Sequence, residues 1–180
     1  MKKTTIQLLM LLAIVLINFS CSKDRDKEPK IEIDEKNLTA CPENANCQYL
    51  FTESADLNEG PSIFKTGSYR VFWSNVQIPG MSATLYIKAP MQGKDFLLDK
   101  TAILAGRVKL VRNCPACLMF EIPFKEVDGY VKGINLTPGK RTDETRWLLE
   151  VNLILEAQDG SDAKSTVSIK QYFYPNFVLN

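Results

Sequence analysis

The residues able to do chemistry in this chain are few, and sulfur comes first. Cys114-Pro115-Ala116-Cys117 has the C-x-x-C spacing. Such a pair exchanges disulfides when its first sulfur has a depressed pKa, commonly at a helix N-terminus. Here Leu118-Met119-Phe120-Glu121-Ile122 follows with strand-like alternation. The helix dipole is therefore missing, and the expected role is a disulfide stapling a hairpin turn. Cys41 and Cys47 form a second close pair; with Cys21 set apart, the four remaining cysteines are an even number, which in an exported chain reads as disulfides. Local pairing, Cys41–Cys47 and Cys114–Cys117, is the simplest of three connectivities. The other two tie the N-terminal segment to the Cys114 turn. Four thiolates at C-x5-C and C-x2-C would also make a tetrahedral zinc set if the loops met. The first spacing is longer than the usual knuckle, and export favours oxidation, so no metal is expected.

Oxygen and aromatic candidates are weaker. Glu121, Glu126, Asp128, Asp143 and Glu144 could supply paired carboxylates for acid–base work, but nothing in the sequence sets two of them across a cleft. The chain contains no His. That removes Ser-His-Asp and Cys-His nucleophile systems and the usual general base near neutral pH. The balance leans away from an enzyme, and no cofactor is expected. Trp73 and the run Tyr172-Phe173-Tyr174 could stack on sugar rings or on a partner protein. Trp147 shares a face with Leu149 and Val151 and is expected in the core. Tyr172 and Tyr174 fall opposite Phe173 and are the expected exposed pair.

These residues are carried by strands. Gln48–Leu57, Ser68–Gln77, Ala83–Ala89, Thr101–Arg112, Cys117–Phe124, Arg146–Glu156 and Ser165–Tyr174 each show period-two alternation or strand-favouring composition. A short piece lies around Phe96–Leu98, and Val127–Thr137 is ambiguous because Gly129 and Gly133 weaken it. In the 101–112 strand, Ala102, Leu104, Val108 and Leu110 are expected inward. The clearest strand puts Trp147, Leu149, Val151, Leu153 and Leu155 on one face. Turn signals such as Asn58-Glu59-Gly60-Pro61 and Pro138-Gly139 separate them. Seven to nine strands and no long helical period predict an all-β fold: one antiparallel β-sandwich, or alternatively a small closed barrel.

The first stretch has a different character. Lys2 and Lys3 precede an apolar run, Ile6–Phe19, that is short for a bilayer span, and Ser20-Cys21 closes it. This pattern resembles a bacterial lipoprotein signal, with Asn18 at the position where that family favours Leu. The resemblance implies that residues 1–20 are removed and that Cys21 carries acyl groups. Ser22-Lys23-Asp24-Arg25-Asp26-Lys27-Glu28 resembles a charged surface-export signal, and Ser22 after the cysteine resembles outer-membrane sorting. Residues 21–40, charged and poor in aromatics, read as a flexible tether. Residues 41–180 form the domain, and no later segment could span a membrane as a helix. Asn37-Leu38-Thr39 matches a glycosylation acceptor, a chance match in a bacterial lipoprotein.

Composition sets the remaining bounds. Loss of Lys2 and Lys3 takes the formal charge from +1 to about −1, which offers no basic footprint for nucleic acid. The sequence thus predicts a lipid-anchored outer-membrane protein, on the cell surface or the periplasmic face. Its β domain is expected to be a binding, adhesive or structural accessory, with an envelope protein or glycan as partner. The alternative is an envelope hydrolase, or a thiol-redox protein using Cys114 and Cys117.

Overall fold

The computed structural model describes residues 31–58, 64–115 and 123–176. Among them are nine strands: β1 (Asn46–Leu57), β2 (Phe64–Thr66), β3 (Tyr69–Ile78), β4 (Met81–Pro90), β5 (Asp95–Leu98), β6 (Val108–Asn113), β7 (Phe124–Asn135), β8 (Trp147–Ala157) and β9 (Lys164–Pro175). The chain is all-β, as its alternation predicts. The strands follow one path, β5-β7-β8-β9-β1-β3-β4-β6, with β2 added to the end of β1. The sheet curls into a half-barrel.

Two ladders make up this path, and they join over a short distance. β9 and β1 pair in parallel only at Leu50–Tyr174 and Phe51–Pro175. Upstream of that contact the ladder stops, and Thr39 takes the vacant edge of β9. Thr39 N donates to Lys170 O and Lys170 N donates to Thr39 Oγ1, both at 2.8 Å. At the far side of the curl, β6 reaches β7 through a side chain. The Leu110 N–H donates to the Glu126 carboxylate, and the Arg112 guanidinium lies 5.3 Å from the centre of the Phe124 ring.

Successive residues of a strand point to opposite faces, so the registers stack the inward residues in layers. Cys47, Val76, Ala83 and Arg112 are lateral neighbours, with Tyr49, Ser74, Leu85 and Leu110 one layer deeper. Below them come Phe51, Phe72, Ile87 and Val108, and finally Arg70 beside Ala89. The third layer is the centre of the core. The Phe72 ring lies 5.4 Å from Phe51, 5.6 Å from Phe96, 5.5 Å from Trp147 and 5.6 Å from Phe173. From β8, Trp147, Leu149, Val151, Leu153 and Leu155 are all buried, as their shared face predicts. Space here is fully used: a Cβ on Gly133 would lie 2.2 Å from Phe96 Cε1.

Several expectations are corrected. The predicted strand Thr101–Arg112 is helical in its first half, over Lys100–Ala102 and Ile103–Arg107. The Asp99 carboxylate caps the turn by accepting from Ala102 N at 3.0 Å, and Gly106 at φ 73° ends it. Leu104, expected inward, is therefore 60% exposed, while Ile103 is buried. Residues 127–135 of the ambiguous stretch belong to β7, whose register shifts between Glu126 and Asp128. Residues 31–40 are not free chain. Ile33 is buried, and Gln171 Nε2, Lys170 Nζ and Tyr172 Oη donate to Thr39 O, Lys36 O and Glu35 Oε2. Composition hides this docking because its bonds run through backbone carbonyls and one carboxylate. Of the predicted strand Cys117–Phe124, residues 117–122 lie outside the described residues, and Phe124 opens β7.

Candidate functional site

Where β9 parts from β1, a cavity of about 340 Å³ enters the half-barrel. That volume lies at the lower end of ordinary ligand pockets, about 300–1,000 Å³. Its inner wall comes from the upper two layers: Tyr49, Ser74, Val76, Ala83, Leu85 and Leu110. Val167 and Ile169 of β9 face them, and Thr39, Ala40 and Pro42 form part of the rim. The opening has a simple cause in the sequence. The third layer carries Phe51 and Phe72, whereas the layers above carry Ser74, Val76 and Ala83, which are too small to reach across. Tyr49 bounds it towards the core, meeting Phe173 edge to face with centroids 5.6 Å apart.

Six polar residues border this apolar space: Thr39, Tyr49, Ser74, Arg112, Thr166 and Ser168. Arg112, at the rim, is the one charged residue lining it, and among the described residues no carboxylate is within ion-pair distance of it. Ser74 is 2% exposed, and it lines the cavity wall. Tyr49 stands opposite Ser74 in the ladder, and burial pushes its phenol above the ordinary value. The deep end of the half-barrel is closed by a different arrangement. Arg70, 6% exposed, donates to Glu53 Oε1 through Nε at 3.0 Å and Nη2 at 2.6 Å, and to Met91 O at 3.2 Å. Its guanidinium covers the Trp147 ring at 4.5 Å. Arg70 Nη1 and Trp147 Nε1 are buried there without partners among the described residues.

The sequence candidates are dispersed rather than gathered. Cys41 and Cys47 are bonded, with Cα atoms 5.9 Å apart; this sets Pro42 at the cavity rim and consumes two of the four thiolates a zinc set requires. Cys114 is also in a disulfide, while Cys117 and Cys21 lie outside the described residues. Trp73 is not a surface platform: it is 8% exposed, because Phe64 of β2 folds over it with centroids 4.7 Å apart. Tyr172 is engaged too, donating to Glu35 at 2.6 Å beneath the Arg146 guanidinium, 5.0 Å from its ring. Tyr174 is 48% exposed. It shares an outer row with Leu50 and Trp73, so the row exists but is largely covered.

The carboxylates show the same dispersal. Glu126 accepts from the β6 backbone, Asp128 pairs with Lys100 at 2.8 Å, and Asp143 pairs with Arg141 at 3.0 Å. Hydrogen bonding from Lys100 holds Asp128 below the usual carboxylate range. Glu121 lies outside the described residues, and the described ones contain no cluster of three His, Cys, Asp or Glu able to hold a metal. The residues that do converge, Tyr49, Ser74, Ala83 and Arg112, escape sequence reasoning. Their only sequence signal is small residues at inward positions of otherwise large-residue strands, which acquires meaning once the register is known. Comparison with protein-family models, with curated proteins and with solved structures gives no match.

Proposed function

We infer that this chain is a lipid-anchored outer-membrane accessory protein whose β domain binds a small ligand inside the half-barrel. The cavity carries this reading: an apolar space with a few converging polar groups is the usual form of a ligand site. The anchor rests on the sequence alone, on Lys2-Lys3, the apolar run and Ser20-Cys21, all outside the described residues. A binding role also fits the engagement of Glu126, Asp128 and Asp143 in structural contacts. Of the two architectures anticipated, the barrel alternative suits the curl better than a sandwich. One connected strand path runs from β5 to β6, and Glu126 draws its ends together.

Each half of the reading has its own test. Cys21→Ala should abolish metabolic labelling with palmitate and release the protein from membranes; labelling that persists removes the anchor. For the cavity, a small-molecule library is screened by thermal shift against the natural protein and Ala83→Phe, whose added ring fills the space. Compounds that stabilise the first and not the second support the site. If every stabilising compound acts equally on both, the cavity is not where they bind.

A further inference from the structure

We propose that the ligand is a small organic acid, a carboxylate on an apolar body of about ten non-hydrogen atoms; this rests on reading the cavity as a ligand site. Size comes first. A water-sized group occupies about 30 Å³, so 340 Å³ admits roughly ten such groups. A long acyl chain does not fit, because the Phe51 and Phe72 layer lies directly beneath. Two layers of strand, at about 3.4 Å per residue, leave only about 7 Å from the Arg112 layer to the Tyr49 layer.

Charge then selects the head group. Arg112 is the one charged residue lining the cavity, no acid among the described residues neutralises it, and it sits in the same row as Ala83 and Val76 of the wall. A guanidinium matches a carboxylate with two parallel hydrogen bonds, an interaction a neutral group cannot reproduce. The phenyl face of Phe124 beside it, at 5.3 Å, orients the cation without discharging it.

Ser74 adds a polar group to the wall. It lines the cavity and is not among the buried unpartnered polar atoms, so its hydroxyl reaches the cavity space, where an oxygen of the occupant can pair with it. The Tyr49 phenol, on the neighbouring strand in the same layer, is a further hydroxyl lining the cavity. The remaining wall, Val76, Leu85, Leu110, Val167 and Ile169, is suited to an aromatic or branched body.

The experiment is a calorimetric titration of the full-length protein with 3-phenylpropanoate and with its uncharged counterpart 3-phenylpropan-1-ol. It is repeated on Arg112→Met, a rim substitution at an exposed position. The acid should bind about tenfold more tightly than the alcohol, the order expected for one charge-assisted contact. Arg112→Met should remove that preference by weakening the acid alone. Equal binding of acid and alcohol, unchanged in Arg112→Met, overturns the acid assignment and leaves the cavity reading standing. Absence of binding by either compound to the natural protein overturns the acid assignment. If the thermal-shift screen also finds nothing that Ala83→Phe blocks, the ligand site itself is withdrawn.

Discussion

Ala83 and Ala89 give a sharp test of whether the half-barrel is hollow at one end and solid at the other. Both lie on β4, both face inward, and they are six residues apart on the same strand. Ala83 borders the cavity, whereas Ala89 is 0% exposed beside Arg70. Replacing each with Leu adds the same three carbons. At Ala83 they enter empty apolar space. At about 0.8 kcal/mol per buried methylene, less about 0.5–1 kcal/mol of side-chain entropy, the gain is roughly 1–2 kcal/mol. For a chain of this length 1 kcal/mol moves Tm by about 2–4 °C, so Ala83→Leu should raise Tm by about 2–8 °C. At Ala89 the same carbons meet a filled layer, and overpacking costs about 1–3 kcal/mol. Differential scanning calorimetry of the two variants reads opposite signs if the layer argument is right. A fall in Tm for Ala83→Leu matching that for Ala89→Leu would mean the cavity is closed in solution, and the ligand reading would go with it.

Three further outcomes follow from geometry already described. Gly133→Ala puts a methyl 2.2 Å from Phe96 Cε1, and Phe96 is held between Phe72 and Trp147; denaturant titration should show a loss of about 1–3 kcal/mol, and a neutral result would mean the ring has room to move. Cys41→Ser with Cys47→Ser opens a loop of sequence separation 6 and should cost about 2 kcal/mol by denaturant titration, with no change expected if the loop is ordered without its bond. The hydrogen bond from Tyr172 to Glu35 raises the Tyr172 pKa above its ordinary 10.0. A raised pKa means the contact is fully present below that pH and is lost as pH rises through the folded value. The tyrosinate absorbance difference between the natural protein and Tyr172→Phe should therefore titrate above pH 10.0; a group ionising at or below it contradicts the contact.

The strands were legible wherever alternation was long and one face was uniformly apolar. β8 is the clearest case, because Trp147 to Leu155 repeat one decision five times. Thr101–Arg107 misled for a local reason: its alternation is real, but the Asp99 cap and Gly106 at positive φ bend it into a helical turn before packing can act. Trp73 misled for a distant one. Its burial depends on Phe64, a three-residue strand too short to read. The cavity was illegible because it is a relation between strands. Ser74, Ala83 and Arg112 are ordinary until the ladder sets them in adjoining layers, and Arg112 in the sequence is simply a charge at the end of the apolar face of Val108 and Leu110.

The contact between Leu110 and Glu126 has a consequence for how copies of this protein treat one another. A curled sheet that stops short of closure ends in a strand with vacant backbone groups, and such a border invites another chain to extend it. Here one border, β5, is four residues long, too brief to nucleate much pairing. Among the described residues the other border is β6, whose Leu110 amide is occupied by an acid from the same molecule, which places negative charge where an intruding strand would have to lie. Glu126 acts in this sense as a guard against self-association. For a protein concentrated on a two-dimensional surface, as the anchor proposal implies, such a guard would count for more than in dilute solution.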